Sequence, residues 1–319
     1  MISPPKCDSA SGPLSMKDND LVPAEQRKHS IRRAFFSSQG LRSVWGVLFF
    51  ILVFEIVETC STRVLGLYFS LKPNGPIPPI FAFIRESCEL LAVAAATWVM
   101  ARVENRNLLF YGFAGPNRLG RLGAGAVWGF VALSVLILVL WETGSLVFEG
   151  IALSRLHAWG YAIAWLFVFL LVGLFEESLL RGYLQHRLTQ ALGFWYAATI
   201  LSVAFACLHL RNGGESILGL VSVGVGGILF CISLWFTKSL FWAVGFHAGW
   251  DWGQSYFYGT PNSGLVMKGH FLASHPTGNP FWSGGAAGPE ASAYLLPLFV
   301  LAALSMCLWW GRMKNPRNT

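Results

Sequence analysis

Eight stretches of this chain, about 43–69, 79–102, 122–148, 160–190, 194–211, 214–236, 239–257 and 291–311, are long and apolar enough to read as membrane-crossing segments. In hydrocarbon every backbone N–H and C=O must be satisfied within the segment, so such runs are helices. The expected fold class is therefore all-α, a polytopic integral membrane helix bundle of about eight transmembrane helices. Only 12% of the residues are charged, where a soluble domain carries about 25%. Fourteen Trp suit a chain with two membrane interfaces. The net charge of +7 reads as topology rather than nucleic-acid affinity, because no basic patch is interleaved with aromatics. The lipid bilayer is the expected partner, and nucleic acid is not.

Basic residues set the orientation. Lys6, Lys17, Arg27, Lys28, Arg32, Arg33 and Arg42 precede the first span, and Arg102, Arg106, Arg118 and Arg121 follow the second. Arg187, Lys238, Arg312, Lys314 and Arg317 fall on the same side, while the opposite loops carry only Lys72, Arg155, Arg211 and Lys268. The positive-inside rule then puts both termini in the cytoplasm, in a plasma (inner) membrane. The chain divides into a polar, disordered tail (1–42), N-terminal transmembrane helices (43–121) and a transmembrane core (122–257). An external Gly/Pro-rich loop (258–290) and a last helix with a basic tail (291–319) complete it. The tail lacks the apolar h-region of a cleaved signal peptide. Six cysteines show neither CxxC nor metal spacing. The Gly125-x-x-x-Gly129 pair and the Gly224, Gly226, Gly227 cluster suit close helix packing.

The stretch LLVGLFEESLLRGYLQ puts Glu176, Glu177 and Arg181 in an otherwise oily run. A charge at a helix centre costs roughly 3 kcal/mol and a Leu returns only about 0.5 kcal/mol. Such charges must face one another or a wet interior. Glu177 and Arg181 stand four apart, on one helix face, and suit a structural ion pair. Glu176 is turned about 100° from Glu177 and has no cation in its own helix. It reads as the reagent. FACLH sets Phe205 and His209 on one face of the fifth span, and HAGWD does the same for His247 and Asp251 in the seventh. With a turn near Gly193, Glu176 lies 17 residues before it and His209 16 after, at nearly equal height in an antiparallel hairpin. If His186, Arg187 and Gln190 project into the cytosol, the pair lies about 13 Å deep, and His247, nine residues past Lys238, lies about as deep.

The ordered set EExxxR, FxxxH and HxxxD, each in an apolar helix, resembles the CPBP family of intramembrane proteases, the CAAX-protease and bacteriocin-processing (Abi-type) group. The resemblance covers Val168 to Tyr258. It implies that Glu176 and His209 activate water and that His247 and residue 251 serve the oxyanion. It implies an endopeptidase acting on a peptide or membrane-protein substrate, with Glu177, Arg181 and Phe205 in support. Asp251 departs from the Asn of the common pattern. An ionised Asp cannot donate a hydrogen bond, so orienting His247 or ligating a metal suits it better.

A partly desolvated Glu suits a general base. Two imidazoles and a carboxylate, Glu176, His209 and His247, equally suit a divalent metal such as Zn²⁺ with one open position. The residues leave both mechanisms open. Two other classes also remain open: a non-enzymatic membrane adaptor or immunity protein, and a proton-coupled transporter with Glu176 as relay. The absence of an evident internal repeat weighs against the last. Arg85 and Glu89 read as a structural i,i+4 pair. Glu55, Glu58 and Glu142 read as facing the bundle or an interface, with a substrate path as the other use. His29, His157, His270 and His275 read as solvated, and Trp250 and Trp252 as wall packing, with substrate recognition as the other use.

Overall fold

A computed structural model describes residues 36–37, 40–67 and 75–313. The expected disorder of the tail 1–42 falls almost wholly outside these residues, as do Cys7 and His29. The chain forms two compact units, Met1–Arg42 and Ser43–Thr319. What is described of the first is an antiparallel pair, β1 (Phe36–Ser37) and β2 (Gly40–Leu41), with Phe36 opposite Leu41.

The second unit is a helix bundle, and helices occupy each of the eight expected stretches. They are α1 (Ser43–Gly66), α2 (Pro79–Val103), α3 (Arg118–Glu142), α4 (Arg155–Glu177), α5 (Gln185–Leu192), α6 (Phe194–His209), α7 (Ile217–Thr237) and α8 (Phe241–Asp251). A short α9 (Pro280–Ser283) and α10 (Leu295–Met313) complete the set. Five helices are long and apolar enough to cross a membrane: Ser43–Gly66, Arg118–Glu142, the continuous Arg155–Leu192, Ile217–Thr237 and Leu295–Arg312. Large apolar side chains such as Leu52, Ile56, Leu138, Phe167 and Leu301 are exposed along these helices. A soluble protein rarely leaves such continuous apolar surface uncovered, and hydrocarbon covers it here. The chain is an all-α membrane bundle.

Local chemistry sets the helix ends. Pro79 starts α2 at the position where its missing N–H has no helical partner. Ser216 caps α7 by accepting from the Gly219 N–H at 3.0 Å. Lys238 ends it in the left-handed region at φ 55°.

Two expectations change. The third span was expected to reach residue 148, but α3 stops at Glu142 and Gly144 turns at φ 69°. Strand β3 (Leu146–Ile151) then pairs antiparallel with β4 (Leu272–Pro276). The apolar Leu146-Val147-Phe148 serves a strand as well as a span, which hid the boundary. The Gly/Pro-rich segment is accordingly a built structure. The Trp165 indole donates to the Lys268 carbonyl at 3.0 Å, and Lys268 N–H donates to the Ile77 carbonyl at 2.9 Å.

Glycines bring α3 and α8 together. A Cβ on Gly125 or Gly129 would collide with the Trp242 or Phe246 carbonyl, and one on Gly245 or Gly249 with the Leu122 or Ala126 carbonyl. Two small-xxx-small faces thus cross backbone to backbone. The expected close packing at Gly125 and Gly129 has its partner in a second such pair, inside the GFHAG stretch that carries His247. Gly173 does the same for α4, where a Cβ would lie 2.9 Å from the Val244 carbonyl oxygen and 3.5 Å from the His247 Cβ. Small residues on both neighbours therefore fix where His247 stands.

Candidate active site

α4 ends at Glu177, and Ser178–Leu184 continue as a π-helical segment in which Gly182 leaves helical geometry at φ −82°, ψ −112°. α8 ends at Asp251, and Trp252–Phe257 likewise continue as a π-helix. Both charged motifs thus sit where the helix widens and re-aims the following side chains, a feature common at functional sites.

The Glu177–Arg181 ion pair is present, with Arg181 Nη1 3.1 Å from Glu177 Oε1 and neither side chain exposed. Arg181 lies over the Phe205 ring at 4.6 Å and near the Phe230 ring at 5.5 Å, so aromatic faces take the place of water around the guanidinium. The His247 ring stacks on Phe230 at 5.4 Å.

Three carboxylates surround His247. Its Nε2 lies 3.4 Å from Glu176 Oε2 and 3.6 Å from Asp251 Oδ2, and its Nδ1 lies 3.4 Å from Glu177 Oε1. Both ring nitrogens therefore face acceptors. Glu177 serves two partners, Arg181 and His247, where the spacing alone had given it one. His209 is placed differently. Its Nδ1 donates to the Phe205 carbonyl at 2.9 Å, which leaves Nε2 as the lone-pair nitrogen of the neutral ring. Its ring meets Phe205 edge to face at 4.8 Å. Among the described residues no ion-pair contact joins His209 to Glu176.

Glu176, His209, His247 and Asp251 all line one cavity of about 560 Å³. Glu55 and Glu58 of α1 line it too, as do Arg85, Glu86 and Glu89 of α2. The Arg85–Glu89 pair is present at 3.3 Å, and Glu86, which sequence spacing left out, joins it at 3.1 Å. Trp250 borders the cavity and donates to Glu290 Oε1 at 3.1 Å, while the Trp252 indole donates to the Ala162 carbonyl. Glu142, His157 and His275 are exposed, and with His270 they lie away from the cavity. In the polar segment after Arg181, Gln190 is exposed and His186 half-buried. Gln185 and Arg187 are buried between helices.

Two further residues border the cavity without any motif to announce them. Asn262 donates to Asp251 Oδ1 at 3.2 Å, and Glu290 accepts from Trp250 and Ser263. Both come from the segment whose composition read only as loop.

The donor set Glu176, His209 and His247 does not close round a single ion position. Among the described residues no three His, Cys, Asp or Glu side chains are grouped to hold a metal. The obstacle is His247, both of whose nitrogens face carboxylates; His209, with Nδ1 on a carbonyl, keeps Nε2 as a ligating imidazole would.

No curated protein matches the chain significantly. A protein-family model does: residues 158–253 match the family described as type II CAAX prenyl endopeptidase Rce1-like. That stretch contains EExxxR, FxxxH and HxxxD in full, so the apolar helices belong to a multi-pass membrane protein with a CAAX-protease-like segment. Residues 158–253 are thus similar to the Rce1-like family, a likeness consistent with a CPBP family intramembrane protease.

Proposed function

We propose that the protein is an intramembrane endopeptidase that hydrolyses a peptide bond of a membrane-associated or peptide substrate with water activated by Glu176 and His209. The observation that carries this reading is the meeting of Glu176 Oε2 and His247 Nε2 at 3.4 Å in a cavity that His209 also lines. Peptide hydrolysis needs a base for water, a donor for the developing oxyanion and a proton for the leaving amine.

Glu176 takes a proton from water as the water oxygen bonds to the scissile carbonyl carbon. His209 Nε2 accepts a hydrogen bond from the second water proton. The carbonyl electron pair moves onto oxygen, and the Nε2–H of His247, released from Glu176 as that carboxylate takes the water proton, turns to meet it. Asp251 orients that ring. When the C–N bond breaks, the protonated Glu176 returns its proton to the amine. Charged partners act strongly here because the surroundings are apolar. The positive-inside distribution supports cytoplasmic termini in a plasma (inner) membrane, with substrate entering from that side.

The test uses purified protein in detergent and an internally quenched CaaX peptide, with and without a farnesyl group. Glu176→Ala, His209→Ala and His247→Ala should each lower kcat by roughly 10²–10⁴-fold. Wild-type rates in all three variants would remove the enzymatic reading in favour of a binding protein. Chelation should leave the rate unchanged; a rate lost on chelation and restored by Zn²⁺ replaces the metal-free mechanism with a metal-dependent one.

A further inference from the structure

Asp251 has a carboxylate whose two oxygens do different things. Oδ2 lies 3.6 Å from His247 Nε2, while Oδ1 accepts from the Asn262 amide at 3.2 Å. Its own helix does little to fix that orientation, since α8 ends at Asp251 and the backbone widens into the π-helix. A carboxylate free to rotate would present either oxygen, or neither, to the imidazole. The constraint comes from outside the helix.

Asn262 is held tightly enough to supply it. Its two amide N–H groups have two acceptors, Asp251 Oδ1 and Ser255 Oγ, each at 3.2 Å. Its backbone closes a turn with Leu265 in both directions, N–H to carbonyl, at 2.9 and 2.8 Å. The central residues, Ser263 at φ 45° and Gly264 at φ 78°, are both left-handed, as a type I′ turn requires. Serine adopts that region at some cost. Glu290 offsets it by accepting from the Ser263 N–H at 3.0 Å and the Ser263 hydroxyl at 2.7 Å, while its other oxygen accepts from Trp250 of α8. The Gln254 side chain donates to the Pro261 carbonyl at 2.7 Å from the other flank. The turn is thus bolted to the same helix end whose carboxylate it orients. Asn262 lies beyond residue 253, where the match to the Rce1-like family ends.

We propose that Asn262 is a positioning residue for peptide hydrolysis: it pins Oδ1 of Asp251 so that Oδ2 stays on His247, and the external segment thereby completes the site. The inference rests on the endopeptidase reading for its kinetic consequence, but its geometric content stands apart from it.

Two measurements test it together. The first is the ¹⁵N spectrum of histidine-labelled protein in nanodiscs, with His247 and His209 assigned from their single variants. Asn262→Ala and the isosteric Asn262→Asp should move the ring-nitrogen signals of His247 and leave those of His209 in place. The second is cleavage of the quenched CaaX peptide. Here kcat should fall by about ten- to a hundredfold, as when a partner that orients a reacting group is lost, with KM within about twofold. Asn262→Asp should lose more than Asn262→Ala, because it sets a second carboxylate against Asp251. His247 signals unchanged in both folded variants overturn the proposal, as does an effect confined to KM, which would make Asn262 a substrate contact. If the wild type leaves the peptide intact, the hydrolase reading fails on that arm and the histidine spectra alone decide Asn262.

Discussion

Two carboxylate nodes in this bundle are built on opposite principles. At one end, Glu104, just past α2, accepts from the Tyr183 hydroxyl at 2.5 Å and from the Tyr111 hydroxyl at 3.0 Å, with Arg187 Nε 3.5 Å away. Burial first, then the neighbouring Glu104 carboxylate, pushes the Tyr111 phenol above its ordinary range, so it remains a donor. Each Glu104 oxygen has a partner. Around His247 the reverse holds: Glu176 Oε2, Glu177 Oε2, His247 Nδ1 and two nitrogens of Arg181 are buried without a hydrogen-bond partner. A closed polar network rigidifies, whereas an open one is costly and marks where a substrate or water can complete it. Only the open node borders the cavity.

The widest separation between the nodes lies in what a lost charge does. Arg181→Ala takes the guanidinium from the fully buried Glu177 and leaves it only the His247 ring, and should lower stability by about 3–5 kcal/mol. Removing both charges, as Glu177→Leu with Arg181→Met, should restore most of that stability while abolishing cleavage, since Glu177 also faces His247. Glu176→Gln should leave the unfolding midpoint near that of the wild type and remove activity alone. Tryptophan fluorescence during thermal unfolding in detergent, run beside the peptide assay, distinguishes the three. A Glu176→Gln protein as unstable as Arg181→Ala would erase the division between a supporting pair and a reagent.

At the closed node the expected order inverts. Glu104→Gln replaces a charged acceptor of two phenols by an amide with a single carbonyl oxygen, and should cost about 1–3 kcal/mol. Cleavage by the folded fraction should stay within about twofold, because Glu104 does not border the cavity. The same two assays check it. Activity lost at unchanged stability would mean that the closed node also acts on the reaction.

Much of the open node is legible in the sequence because it is built on helices. Apolar period and spacing put Glu177 over Arg181 and Phe205 beside His209, and three motifs of fixed order carry Glu176, His209 and His247 into one cavity. Legibility fails where one helix borrows from another, or from a loop. That Glu177 reaches His247 depends on how closely Gly173 lets α4 approach α8. The π-helical segments change the direction of side chains after residues 177 and 251, and no propensity scale announces them. Asn262 lies in a stretch of Gly, Pro and Ser with no periodicity, so its pairing with Asp251 emerges only once the turn is closed by Glu290. Burial of Arg187 was missed for a related reason: its partner Glu104 sits on a different helix end, 83 residues earlier.

A third carboxyl lies between the two extremes and gives the smallest effect. Glu215, in the turn between α6 and α7, accepts from the Ser216 N–H at 2.9 Å. Its pKa is raised: burial drives it up, the Ser216 hydrogen bond opposes, Glu290 adds to the rise and His209 opposes again. The proton is thus held more firmly in the folded protein than in the unfolded chain. The associated stability is fully present below the ordinary Glu value and is lost as pH rises through the raised one. Glu215→Gln cannot ionise, so its unfolding midpoint should gain on the wild type as pH rises from the ordinary Glu value through the raised one, by less than about 2 °C. A constant offset across that range would mean that Glu215 titrates alike in both states. Because Glu215 and His209 interact electrostatically, the same variant should also shift the pH profile of cleavage slightly, whereas Glu104→Gln should leave that profile in place. Equal shifts in both would show that the two nodes differ in hydrogen bonding but not in their reach to the cavity.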